Sequence, residues 1–130
     1  MTAQAFGFTK LVVEDLERAE LFYCEVFGLL PQHRVTTEAH EFALDEVILS
    51  RTADDHKLIL ARYRNRRCPP AGSAWTGFVV ADLELALASV VRSGGAIRVP
   101  IHDNPQHHVL AAIASDPDGH LIEIIQLGRS

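Results

Sequence analysis

Cysteine is scarce in this chain of 130 residues: Cys24 and Cys68 are the only two. That number excludes a disulfide framework. Cys24 falls in a helical pattern and reads as packing, while Cys68 sits in a proline-rich connection with no assigned role. Basic residues are also outnumbered, 12 against 17 acidic, for a net charge of −5 with histidine neutral. A general nucleic-acid binder needs a basic face, so that class is not expected. No apolar run approaches the roughly 20 residues that span a bilayer as a helix. The opening MTAQAFGFTK lacks the basic-then-apolar layout of a secretory signal. A cytoplasmic protein with no membrane partner is therefore expected. Three catalytic signatures are missing too: a Gly-rich phosphate loop after a strand, a nucleophile elbow, and an HExxH or HxxxH metal pair.

What is present is a repeat. Thr9–Ala19, TKLVVEDLERA, and Thr76–Ala86, TGFVVADLELA, match at 7 of 11 positions at an offset of 67 residues. An aromatic residue precedes each copy, Phe8 and Trp75. Two copies are too few for a solenoid and imply a duplicated module in one domain. Each copy opens as a strand, rich in β-branched and aromatic residues. Asp15 and Asp82 then stand where a helix N-cap belongs. The first helix carries Leu16, Ala19, Phe22, Tyr23, Val26 and Phe27 at helical spacing, and Gly28 and Pro31 close it. The second uses Leu83, Ala86, Leu87, Val90 and Val91 and stops at Gly94-Gly95. Three strand-like segments follow each helix, roughly 32–37, 41–50 and 56–64, then 96–102, 107–115 and 120–127. The expected plan is α+β: two βαβββ modules, 1–64 and 74–130, joined by the linker 65–73.

The last hairpin carries the most informative residues. Asp116-Pro117-Asp118-Gly119 suits a type I turn. In the strand that follows, Leu121, Glu123, Ile125 and Leu127 alternate with Ile122, Ile124 and Gln126, and both faces are largely apolar. Such a strand is expected to be covered on both sides. Glu123 is then a buried carboxylate, which requires a cationic partner, a bound cation or a proton. Lys10 and Arg62 are the candidate protein partners.

The doubled plan, the two VxDLxxA openings and the ending DPDGHLIEI resemble the vicinal oxygen chelate superfamily. That group includes glyoxalase I, extradiol dioxygenases, fosfomycin-resistance enzymes and bleomycin-resistance proteins. The resemblance implies mixed sheets curved into a cup around a small molecule and a homodimer, with each cup built from modules of one chain or of different chains. It also implies metal ligands at four places. Glu123 matches one of them. Phe8 and Trp75 fall on the two first-strand positions, and Leu60, or Ile59 with the register shifted by one, on the fourth. None of these three side chains can bind a metal, and one ligand of four does not hold a divalent ion.

The expected function is metal-free small-molecule binding, with Phe8, Lys10, Leu60, Arg62, Trp75 and Glu123 as the ligand-binding set. The alternative is lyase, isomerase or dioxygenase chemistry on a small oxygenated substrate, with Glu123 as the catalytic candidate. No cofactor is expected, although the histidines leave open a relocated divalent-metal site. Adjacent His107 and His108 point to opposite faces of a strand, so one of them at most would join Glu123.

Overall fold

A computed structural model describes residues 2–106 and 108–128. His107, one of the histidines considered as a metal ligand, lies outside the described residues. The element order is β1 (Phe8–Val12), α1 (Leu16–Phe27), β2 (Leu30–Thr37), β3 (Leu44–Ser50), β4 (Lys57–Tyr63), β5 (Trp75–Val79), α2 (Leu83–Arg92), β6 (Ala96–Asn104), β7 (Val109–Ser115) and β8 (Leu121–Gln126). This is the βαβββ plan twice. Each copy forms its own four-stranded sheet, ordered β1-β4-β3-β2 and β5-β8-β7-β6. In both, the first strand pairs parallel with the last, and the other pairings are antiparallel.

The helix ends follow from local chemistry. The Asp15 side chain accepts from the Arg18 N–H and that of Asp82 from the Leu85 N–H, each satisfying a donor with no partner inside the helix. Gly28 ends α1 in the left-handed region at φ 69°, with its N–H on the Cys24 carbonyl. Gly95 answers to close approach instead. A Cβ there would lie 2.4 Å from the Ser115 carbonyl and 2.8 Å from Phe22 Cε1, so only glycine lets the chain leaving α2 pass this near β7.

One continuous apolar cluster draws on both helices and on one face of each sheet. Strand parity assigns the faces. Leu11 of β1 pairs with Leu60 of β4, which pairs with Val47 of β3, and all three belong to the cluster. Ala112 and Ile124 do the same in the second sheet. Lys10, Glu46, Ile59 and Ala61 therefore occupy the opposite face of the first sheet, and Trp75, Gly77, Val79, Ile113 and Glu123 that of the second.

The DPDG turn latches one module to the other. Gly119 N–H closes the turn on the Asp116 carbonyl at 2.9 Å. The Asp116 carboxylate, 3% exposed, accepts from the Tyr23 hydroxyl at 2.7 Å and from the N–H groups of Asp118 and His120, each at 2.9 Å. Asp118 accepts from the Glu14 N–H at 2.6 Å and from Arg18 at 3.3 Å. His120 Nε2 donates to the Val12 carbonyl at 2.9 Å. The turn read from the sequence as a hairpin connection thus also has a structural task at the β1–α1 junction.

Candidate functional site

A cleft of about 560 Å³ lies between the modules. That size is within the ~300–1,000 Å³ typical of small-molecule pockets. Trp75 stands in its lining and is 52% exposed, unusual for the largest apolar side chain. The cleft wall includes Phe27 at the end of α1 and Phe78 of β5, stacked with centroids 3.8 Å apart. Polar lining comes from Thr9, Arg51, Asp55, His56, Lys57 and Thr76, with Arg51 paired to Asp55 at 2.9 Å. The Thr9 hydroxyl lies 2.8 Å from His56 Nε2, and His56 Nδ1 lies 3.1 Å from the Phe6 carbonyl. A carbonyl only accepts, so Nδ1 carries the proton and Nε2 accepts from Thr9. The edge of the Phe6 ring meets the His56 ring at 4.8 Å and helps hold it.

Glu123 departs from the sequence expectation. It is exposed on the face of the second sheet that no helix covers, and no hydrogen bond or ion pair reaches it among the described residues. The flanking Leu and Ile suggested cover on both sides, but within one chain only the Ile122–Ile124 side is covered. Lys10 is not its partner: Lys10 Nζ lies 2.5 Å from Glu46 Oε2 across the first sheet's own open face. Nor is Arg62, which donates to Asp45 at 3.0 Å on the helix side of that sheet, where it holds the Asp45 carboxyl below its usual range. Leu60 is fully buried in the core. Ile59 takes the place opposite Lys10 that Glu123 takes opposite Gly77. The one-residue shift between Leu60 and Ile59 exchanges faces, as strand alternation requires.

Phe8 and Trp75 remain equivalent by the repeat and are about equally exposed, 53% and 52%. Gly77, beside Trp75 on its strand, lines the cleft and is the ladder neighbour of Glu123. A Cβ on Gly77 would meet nothing closer than the Glu123 carbonyl at 3.9 Å, so the open face stays unfilled beside Glu123, which itself does not line the cleft. Thr9, His56 and Glu46 were not singled out from the sequence. Thr9 and His56 are 47 residues apart and meet only because β1 pairs parallel with β4.

The donor set does not fit a metal at the four positions that the vicinal oxygen chelate likeness marks. Phe8, Trp75 and Ile59 offer no lone pair to a cation, and only Glu123 does. Among the described residues, no three of His, Cys, Asp and Glu gather where they could hold one ion.

The model of the Glyoxalase/Bleomycin resistance protein/Dioxygenase superfamily matches residues 5–124, and the chain belongs to that superfamily. Solved structures agree in fold. A glyoxalase family protein from Bacillus cereus is 18% identical, with 98% of this chain and 97% of that chain covered and a TM-score of 0.81. The trypanothione-dependent glyoxalase I of Leishmania major is 20% identical, with 95% and 87% covered and a TM-score of 0.72. A glyoxalase-related enzyme from Fulvimarina pelagi is 23% identical, with 95% and 88% covered and a TM-score of 0.68. A search of curated protein sequences finds no match. Among the described residues, no helix is long and apolar enough to cross a membrane.

Proposed function

We propose that this chain is a metal-free small-molecule-binding protein of the glyoxalase and bleomycin-resistance type, working as a cytoplasmic homodimer. The single observation that carries the reading is Trp75, half exposed at the β5 edge in the lining of a cleft that Phe27 and Phe78 also line from the helix side of that edge. An indole held beside an apolar hollow offers a stacking surface to a flat ligand, and burying it there is favourable. Glu123, free of protein partners among the described residues and next to Gly77, anchors a donor or cationic group of the ligand. A second copy is the natural cover for the uncovered apolar residues Phe8, Trp75 and Val79.

Trp75 is the only tryptophan, so intrinsic fluorescence reports on this site alone. Titration with a panel of aromatic and heteroaromatic cations, anions and neutral compounds is expected to give saturable quenching or a blue shift. Glu123→Gln weakens the cationic members selectively. A panel in which no member changes Trp75 emission contradicts the reading.

One observation favours a second reading, a metal-free lyase or isomerase. His56, in the cleft lining, is held at Nδ1 by the Phe6 carbonyl and accepts the Thr9 hydroxyl at Nε2, a hydrogen-bonded pair able to relay a proton. In that reading, Thr9 Oγ1 takes a proton from next to a substrate carbonyl as its own proton passes to His56 Nε2, and Arg51, engaged by Asp55 through Nε and Nη2, offers Nη1 to the resulting oxyanion. Solvent-deuterium exchange into small α-hydroxycarbonyl compounds, lost in His56→Gln, would support it. No exchange with the native protein contradicts it.

A further inference from the structure

A second hollow, about 320 Å³, lies on the open face of the first sheet, away from the inter-module cleft. The Lys10–Glu46 ion pair lies in its lining, with the Glu46 side chain only 10% exposed. Phe42 and Tyr63 stand beside the pair, their rings tilted at 37° with centroids 6.4 Å apart. Thr37 and His40 complete the polar lining.

The free polar groups here are mostly donors. The Lys10 ammonium has three N–H groups and one carboxylate partner, which leaves donors for a ligand. The Tyr63 hydroxyl has no hydrogen-bond partner among the described residues. His40 Nδ1 accepts from the Phe42 N–H at 3.0 Å, so the neutral ring carries its proton on Nε2 and can donate from there. The one carboxylate in the lining is already engaged by Lys10. Donors between aromatic walls select a flat molecule with an acceptor group. Glu46 offsets the charge of Lys10, and Glu41 that of Arg66, whose guanidinium lies 4.5 Å from the Phe42 ring centroid, so the hollow carries no unpaired positive charge to hold a dianion. A single carboxylate can share Lys10 with Glu46 and still accept from Tyr63, and charge-assisted bonds of this kind are the stronger ones.

We propose that this hollow binds aromatic monocarboxylates, the ring against Phe42 and Tyr63 and the carboxylate on Lys10 and the Tyr63 hydroxyl. The inference names a ligand class for the open face of the first sheet and rests on the small-molecule-binding reading, but at a different place from the Trp75 cleft.

The test is an amide-shift titration of ¹⁵N-labelled protein with benzoate, benzamide and phenyl phosphate. Benzoate is expected to give saturable shifts at Lys10, Thr37, Phe42 and Tyr63, and to bind about fivefold or more tighter than the other two. Tyr63→Phe weakens benzoate about fivefold. The double variant Lys10→Met with Glu46→Gln removes both charges together, so no half-buried carboxylate is stranded, and it erases the preference for benzoate over benzamide. No shifts at these amides, equal binding of benzamide, or a preference that survives in the double variant overturns the proposal. The Trp75 indole N–H reports the other cleft in the same spectra. Shifts there, with none at Lys10 and Tyr63, overturn this inference and leave the cleft reading standing. Shifts confined to Lys10, Thr37, Phe42 and Tyr63 support it, and the cleft is tested separately by the fluorescence panel.

Discussion

The Tyr23 hydroxyl donates to Asp116 Oδ2 across 2.7 Å, and the two residues belong to different modules. Both are buried, Tyr23 fully and Asp116 to 3% exposure. A hydrogen bond to a charged group in such a place contributes about 1.5–3 kcal/mol. Tyr23→Phe keeps the ring packing on Phe22 and removes the hydroxyl, with its bond to Asp116 and its contact with Thr76, so urea unfolding is expected to show a loss of about that size. A double-mutant cycle with Asp116→Asn separates the direct coupling from the remaining bonds of Asp116.

The same pair sets an alkaline limit. Burial first, and the nearby Asp116 charge second, hold the Tyr23 hydroxyl well above its ordinary pKa. A proton bound more tightly in the folded state stabilises the fold below the unfolded pKa of ~10 and is lost progressively above it. Stability is expected to fall as pH rises past ~10. Tyr23→Phe flattens that slope while lowering stability at neutral pH. An unchanged slope in the variant contradicts this assignment.

Gly95→Ala tests close packing where no positive φ is involved. The new methyl meets a carbonyl oxygen at 2.4 Å and a buried ring at 2.8 Å, and the carbonyl belongs to a paired strand that cannot swing aside. Thermal and urea denaturation are expected to show a loss of about 2 kcal/mol or more. A neutral substitution would mean that β7 and the turn after α2 are less rigidly seated.

Glu123→Gln separates a structural carboxylate from a functional one. With no protein partner among the described residues, its charge does little for the fold, and stability is expected to change by less than ~0.5 kcal/mol. A loss of several kcal/mol would instead reveal a buried ion pair in the assembled protein.

Much of the architecture was legible in the sequence because local signals and the repeat agreed. Asp15 and Asp82 cap the helices as read, Gly28 ends α1, and the DPDG hairpin turns where proline and glycine place it. Strand ends moved by a few residues: β3 starts at Leu44 rather than 41, and β6 runs on to Asn104. The site was less legible. Alternation showed that Glu123 and Ile122 face opposite ways, but not which face the helices cover, since both looked apolar. The residue opposite Lys10 could not be chosen between Ile59 and Leu60 without the ladder register, and that single step decides between open face and core. Lys10 and Glu46 meet only because β4 separates β1 from β3, a pairing that no spacing along the chain announces.

The most direct test of the central claim is a crystal structure of the protein soaked with the member of the fluorescence panel that shifts Trp75 most. The account predicts ordered ligand in van der Waals contact with the Trp75 ring, between the modules, with Glu123 coordinating no metal. Ligand bound away from Trp75, or a metal ion held by Glu123 together with several other protein donors, would contradict it.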